Sequence, residues 1–322
     1  MQMGISIIRF LKGPRAVVTG VLFITLCLPP LGSAEVETKY LYRLSNFSGP
    51  VATTWARIAL DEARGEIYTI LEKEVRVFND SGMEIYRFGE DGSLGTVLDL
   101  AVNSTGEILV LSRTRTEQSI LVCDFRGQPI GRFSLTNFPP DFTAFTPHRM
   151  VFKNGRLYLV DTPALKVAVT DAVGRFLNGY DIGALLEIPK KKRLVTEISG
   201  FSVDGRGNML FTIPVRFSVH LLSPDGNLTS EVRPGSAPGK FNQVAGIVAD
   251  DQGYIYVADR LKNTILIFDR QFRFLSQFGY RGLRPDNLFG PQYLILDARG
   301  RLYISQLRDQ GVSVFKINYT QP

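Results

Sequence analysis

The sequence predicts an all-β protein, a six-bladed β-propeller of four-stranded antiparallel blades whose last blade is closed by the N-terminal strand. Three observations predict it. Short alternating apolar runs follow one another along the chain, a turn glycine recurs at blade-length spacing, and the sixth repeat lacks a strand that the segment before the first repeat has to spare. With 44% hydrophobic and 21% charged residues in 322 positions, the chain can bury a full core, and disordered and collagen-like classes are excluded.

The first 34 residues read as a processing segment. Arg9, Lys12 and Arg15 precede an apolar run from Ala16 to Leu28; Pro29 and Pro30 break it, and Gly32 and Ala34 supply the small residues of a cleavage site. Residues 1–34 are therefore expected to be a signal peptide cleaved after Ala34, with residues 35–322 as the propeller domain. An uncleaved anchor is the alternative, although the run falls short of the ~20 residues a membrane span needs. A lipoprotein signal is disfavoured by bulky Leu26 directly before Cys27.

Export narrows the function classes. Of a net charge of +6, three positive charges lie in the leader, so the mature chain carries about +3, too little for a nucleic-acid signature. Only Cys123 remains after cleavage, so no intramolecular disulfide can form and the core alone must hold the fold. Cys123 lies in the apolar run "SILVCDF" and reads as a small buried hydrophobe. Five Asn-x-Ser/Thr sequons, at Asn46, Asn79, Asn103, Asn227 and Asn318, could carry glycans in a eukaryotic secretory pathway.

After the leader, "TKYLYRLS" (Thr38–Ser45) has strand character and is expected to pair beside Val312–Ile317. Six hairpins follow: Ala56–Ile70, Leu98–Leu111, Arg149–Asp161, Gly200–Ile213, the one beginning at Gly246, and Tyr293–Ser305. Their turn glycines are Gly65, Gly106, Gly155, Gly207, Gly253 and Gly300, separated by 41, 49, 52, 46 and 47 residues. A second turn recurs before the fourth strand as "NDSG", "DFRG", "DAVG" and "SPDG", with "DRQF" in the fifth copy. The sixth copy ends after "VSVFKI" with no fourth strand, which the N-terminal segment would donate, leaving no open edge at the seam.

The fifth copy, "YIYVADRLKNTILIFD", resembles the NHL repeat through Asp250, Gly253, Tyr256, Val257, Ala258, Asp259, Asn263, Ile265, Phe268 and Asp269. The sixth keeps Asp297, Gly300, Tyr303 and Phe315 but has Ser305 and Gln306 where the pattern has Ala-Asp; the third keeps Tyr158, Val160 and Asp161. The other copies keep mainly the turns. The resemblance spans residues 38–317 and implies a six-bladed propeller with an open function. Asp259 and Asn263 are expected to tie down loop amides.

In propellers a ligand site forms where inner strands begin around the central channel, joined by the loops between second and third strands. Aligning the copies places Arg57, Asp99, His148, Arg149, Gln292 and Tyr293 at that rim as candidate ligand-binding residues, or as polar groups that merely solvate the channel. The adjacent loops carry Lys73, Arg113, Arg115, Lys166, Arg216, Arg260, Lys262 and Arg308 against six acids, and Lys190–Arg193 ("KKKR") adds a basic run before the fourth blade. If functional, that run favours an anionic partner; otherwise it is a solvated loop.

The resemblance also implies enzymatic relatives, namely amidating lyases with a histidine-rich metal centre and lactonase and strictosidine synthase groups with acidic channels. This chain has only His148 and His220, short of a three-histidine zinc set, so no metal and no cofactor is expected. His148 beside Asp99 is the candidate catalytic pair, as a general base. No nucleophile elbow, phosphate-binding glycine loop, "HExxH" or "CxxC" occurs. The expected role is a non-catalytic binding or scaffold propeller in the periplasm or outside the cell, a monomer or a subunit of an envelope complex. Its partner would be a protein or acidic glycan and not nucleic acid, and no membrane span would remain after signal cleavage. A hydrolase or lyase with its site at the channel rim is the alternative.

Overall fold

The computed structural model describes residues 35–71, 73–282 and 284–320, so the expected signal peptide lies outside the described residues. Six four-stranded antiparallel sheets follow one another around a central channel, and a two-stranded hairpin, Ser45–Asn46 with Gly49–Pro50, stands apart from them. The innermost strands, in order, are Arg57–Asp61, Thr96–Val102, Arg149–Lys153, Phe201–Val203, Val244–Ala249 and Leu294–Leu296. Within each blade the chain steps outward strand by strand.

Each contact between neighbouring blades holds one hydrophobic cluster. Blades 1 and 2 share Tyr68, Val77, Leu100 and Ile108, and blades 5 and 6 share Tyr256, Ile265, Leu302 and Phe315. The same holds at the four other contacts, including the one between blades 6 and 1 that contains Ile67, Phe78, Tyr303 and Val314. Because blades stack face to face, their middle strands are covered on both sides. Ile255–Asp259 and Thr264–Phe268, which the sequence presents as alternating, are buried at every position.

The seam closes as the repeat count requires. The N-terminal strand Glu35–Arg43 pairs antiparallel with Val312–Thr320, from Glu35 opposite Thr320 to Arg43 opposite Ser313, and becomes the outer strand of blade 6. It begins earlier and ends sooner than expected, since Leu44 turns inward to the core and Ser45 enters the small hairpin. Ion pairs across the seam support it: Asp80 of blade 1 receives Arg299 and Arg301 of blade 6, and Tyr42 donates to the Asp80 carbonyl at 3.1 Å.

The turns behave as the repeat predicts. All six hairpin glycines have positive φ, and four of the five second turns end in a glycine that does too. The fifth has Phe272 at φ 56°; its fully buried ring packs in the contact between blades 4 and 5, which offsets the strain of a left-handed residue. Asp259 accepts from the backbone N–H groups of Asn242, Gln243 and Lys262, and Asn263 accepts from Gly290 N–H at 2.9 Å. In blade 6 Gln306 replaces the aspartate and its Oε1 accepts from Phe289 N–H at 2.8 Å, so the longer amide does the same stapling.

The connection before blade 4 departs from a plain loop. It contains two single helical turns, Ile182–Leu185 and Lys190–Arg193, the first capped by Asp181 accepting from Ala184 N–H. No helix among the described residues is long and apolar enough to cross a membrane.

Candidate channel-mouth site

The channel encloses about 710 Å³. Its middle is lined by aliphatic side chains of the inner strands, including Leu60, Leu100, Val151 and Val248, because those strands also pack against their neighbours. Its two ends differ in charge. At the hairpin end the acids Glu62, Asp204, Asp250, Asp251 and Asp297 outnumber Lys153, Arg299 and Lys316; at the end where inner strands begin, Arg57 and Arg149 face Asp99.

Four predicted residues meet at that second end. Arg57, the first residue of its strand, lies 3.5 Å from the Asp99 carboxylate and donates to the His148 carbonyl at 2.6 Å. Asp99 sits at a register shift in blade 2 and also accepts from Leu100 and Met150 backbone N–H groups at 3.1 and 2.9 Å. Arg149 opens the inner strand of blade 3 and donates to the Ser199 carbonyl at 2.5 Å. Tyr293 stands between the arginines, with the Arg57 and Arg149 guanidinium carbons 5.7 and 5.0 Å from its ring centre. Burial, and then repulsion from Arg57, lowers the Arg149 pKa from its ordinary value, while Asp99 and Tyr293 oppose that shift.

His148 and Gln292 point elsewhere. Each precedes an inward-facing residue by one position, and adjacent residues of a strand face opposite sides. The His148 imidazole therefore turns to Asp161, Nδ1 lying 3.7 Å from Oδ1, whereas Asp99 is taken up by Arg57 and two amides. Asp161 is itself held by Thr146 and Ala164 N–H groups. Gln292 is buried behind the channel wall, and its Oε1 has no hydrogen-bond partner among the described residues.

The structure adds Trp55 to the mouth and singles out Arg260 from the basic loop residues beside it. Arg260, on the blade 5 loop, has its guanidinium carbon 4.8 Å from the Trp55 ring centre and close enough to Tyr293 and Glu197 for both to act on its charge; burial nevertheless lowers its pKa. Trp55 is held by its indole N–H donating to the Gly290 carbonyl at 2.9 Å. The one signal for it in the sequence is that the chain's single tryptophan directly precedes the first repeat.

Two guanidinium groups thus flank one tyrosine ring, with Asp99 in contact with Arg57, and a third guanidinium, that of Arg260, lies against Trp55. Such a mouth can hold an anionic group by charge and by paired N–H donors. His220 lies far out in blade 4, on the third strand, between Ser218 and Ser230. Cys123 is fully buried in the contact between blades 1 and 2, where burial pushes its thiol up to about 12. Among the described residues no group of three or more His, Cys, Asp or Glu could hold a metal ion.

No protein-family model matches the chain, and no curated protein matches it in sequence. Solved structures do match its fold. Virginiamycin B lyase from Staphylococcus aureus superimposes with a TM-score of 0.57 at 12% identity over 88% of this chain and 99% of that one. An auxiliary nutrient binding protein from Bacteroides ovatus gives 0.58 at 12% identity over 89% and 78%. A gluconolactonase from Xanthomonas campestris gives 0.52 at 13% over 89% and 91%. At such identities the likeness shows a six-bladed propeller, a fold on which both enzymes and binding proteins are built.

Proposed function

We propose that the protein is an exported NHL-type propeller, with residues 1–34 as its signal peptide and residues 35–322 as its domain, that binds an anionic partner in the periplasm or outside the cell without transforming it. The partner is an acidic glycan or an acidic protein segment. The observation that carries this reading is the placement of Arg57 and Arg149 against the Tyr293 ring, with Asp99 paired to Arg57 and a third guanidinium, Arg260, against Trp55. An arriving carboxylate or sulfate would pair with the guanidinium groups of Arg149 and Arg57, while Trp55 and Tyr293 offer flat apolar faces to a sugar ring.

The nutrient-binding neighbour supports a binding role on this fold, and the lyase and lactonase neighbours support an enzymatic one. The chemistry of the mouth favours binding. In the hydrolase or lyase alternative the Arg57, Asp99, His148, Arg149 set would need a base in the channel; Asp99 is committed to Arg57 and two amides, and His148, with Nδ1 turned to Asp161, is not among the residues that line it.

Calorimetric titration with an oligogalacturonate and with an acidic peptide, each against its uncharged counterpart, tests the reading. Binding of an anionic ligand should weaken about tenfold or more in Arg149→Gln, since a hydrogen bond to a charged group contributes about 1.5–3 kcal/mol, and should weaken further with salt. Equal affinity for charged and uncharged ligands, or an unaffected Arg149→Gln variant, would overturn it.

A further inference from the structure

We infer that the connection between blades 3 and 4 is a docking site for an anionic lipid surface. It is separate from the arginine mouth, although both lie on the same face of the disc. The connection is built firmly into the fold. Ile182, Ile188 and Ile198 are buried in the contact between blades 3 and 4, Ile182 N–H donates to the Leu165 carbonyl, and Ile198 N–H to the Thr162 carbonyl. Arg193 is spent on the structure itself, paired with Asp181 at 3.0 Å and donating to the Ile188 carbonyl.

Between those anchors the chain projects what a core would normally take in. Leu194 is 91% exposed and Val195 72%, adjacent aliphatic residues at the end of the Lys190–Arg193 turn. Val195 and Thr196 N–H groups bond back to the Lys192 and Arg193 carbonyls, so the tip is a folded turn. The neighbouring loop of blade 4 joins it through Arg216 donating to the Leu186 carbonyl at 3.2 Å, and brings Val215, 56% exposed.

Lys190, Lys191 and Lys192 are exposed and make no ion pair among the described residues. Two exposed acids, Glu187 and Glu197, share the connection, so the free lysines outnumber them. A convex aliphatic tip ringed by unpaired lysines matches an interface of acyl chains below and anionic headgroups above. The stems of the lysines can lie along the apolar layer with their ammonium groups among phosphates. A protein partner fits less well, since protein interfaces are depleted of lysine and take their anchors into concave pockets.

The docking would turn the Arg57, Arg149 and Tyr293 mouth toward the bilayer, because the connection is bonded to the loops on that side, and Arg149 itself donates to the Ser199 carbonyl at its end.

The test places a reporter at the tip of the full chain. Leu194→Trp is expected to shift its emission to the blue and be quenched by phosphatidylglycerol vesicles with brominated acyl chains, beyond the baseline that Trp55 gives in the parent, and far less so by phosphatidylcholine vesicles. The triple variant K190Q/K191Q/K192Q in the Leu194→Trp background should lose that response, with the partition coefficient falling about fivefold for each lysine removed. All four side chains are solvent-exposed, so thermal stability should be unchanged and a folding defect distinguishable. An unquenched reporter in the Leu194→Trp variant, or quenching that survives loss of the three lysines, would overturn the proposal; the first result would leave the patch to an acidic protein partner.

Discussion

His220 shows how much a single side chain can set. It is 1% exposed, stacks on Phe211 with ring centres 4.7 Å apart, and holds Ser218 and Ser230 at 2.8 Å through its two nitrogens. Burial, with Arg216 adding repulsion, pushes its pKa down to about 3 from the ordinary 6.5. The unfolded chain therefore takes a proton near pH 6.5 while the folded one does not until about pH 3. The stability from the neutral imidazole is complete above 6.5 and is lost as pH falls through that window, by up to about 1.4 kcal/mol per pH unit. Thermal unfolding between pH 7 and 5 should thus show a loss of about 2 kcal/mol in the parent and a much flatter profile in His220→Gln, though that variant starts about 1 kcal/mol lower for its lost hydrogen bond. Parallel profiles would refute the assignment. At this scale the sequence was legible where alignment of repeats suffices: Arg57, Arg149 and Tyr293 sit at strand entries, and Asp99, at the register shift inside its strand, meets them. It was not legible one residue away, for His148 and Gln292, because a shift of one position in a strand reverses the side faced, and strand entries carry no apolar pattern to fix the phase.

Hairpins are the elements that the sequence reveals best, since their turns impose a backbone that few residues tolerate. Gly253 has φ of +94°, its N–H donates to the Asp250 carbonyl and, at 2.7 Å, to its Oδ1, and an added Cβ would collide with the Arg270 side chain. Gly253→Val should cost about 2 kcal/mol or more, read as a lower midpoint in thermal or urea unfolding. An unchanged midpoint would mean that the turn can be rebuilt without a left-handed residue. The helical turns at Ile182–Leu185 and Lys190–Arg193 were not legible. Four-residue helices cannot hold by propensity, as nucleation costs more than one turn returns, so they exist only because Ile182, Ile188 and Ile198 are drawn into the core on either side. Trp55 escaped for a related reason: it comes from an aperiodic segment, and its meeting with Arg260, which the sequence places only among the basic loop residues beside the rim, depends on how blade 5 approaches the entry to blade 1.

Across the whole molecule, stability rests on closure. A row of stacked repeats is held by contacts between neighbours, and an open row would leave two blades with one face bare. Here the contact between blades 6 and 1 is built like the other five, with Leu44, Ile67, Phe78 and Tyr303 buried in it. The strand Glu35–Arg43 completes it by covering the backbone edge of Val312–Thr320. Deleting residues 35–46 removes that strand and Leu44 together, so it should both lower stability and present a long unpaired edge to other molecules. The expected result is self-association on size exclusion with light scattering and a lower unfolding midpoint. Asp80→Ala separates the strand from the ion pairs beside it: Asp80 is 47% exposed, and surface pairs of that kind contribute about 1 kcal/mol or less, so this variant should remain monomeric with a modestly lower midpoint. A deletion variant that is monomeric and as stable as the parent would show that blades 1 and 6 hold each other without the shared sheet; aggregation of both variants alike would place the closure in the Asp80, Arg299 and Arg301 cluster instead of the strand.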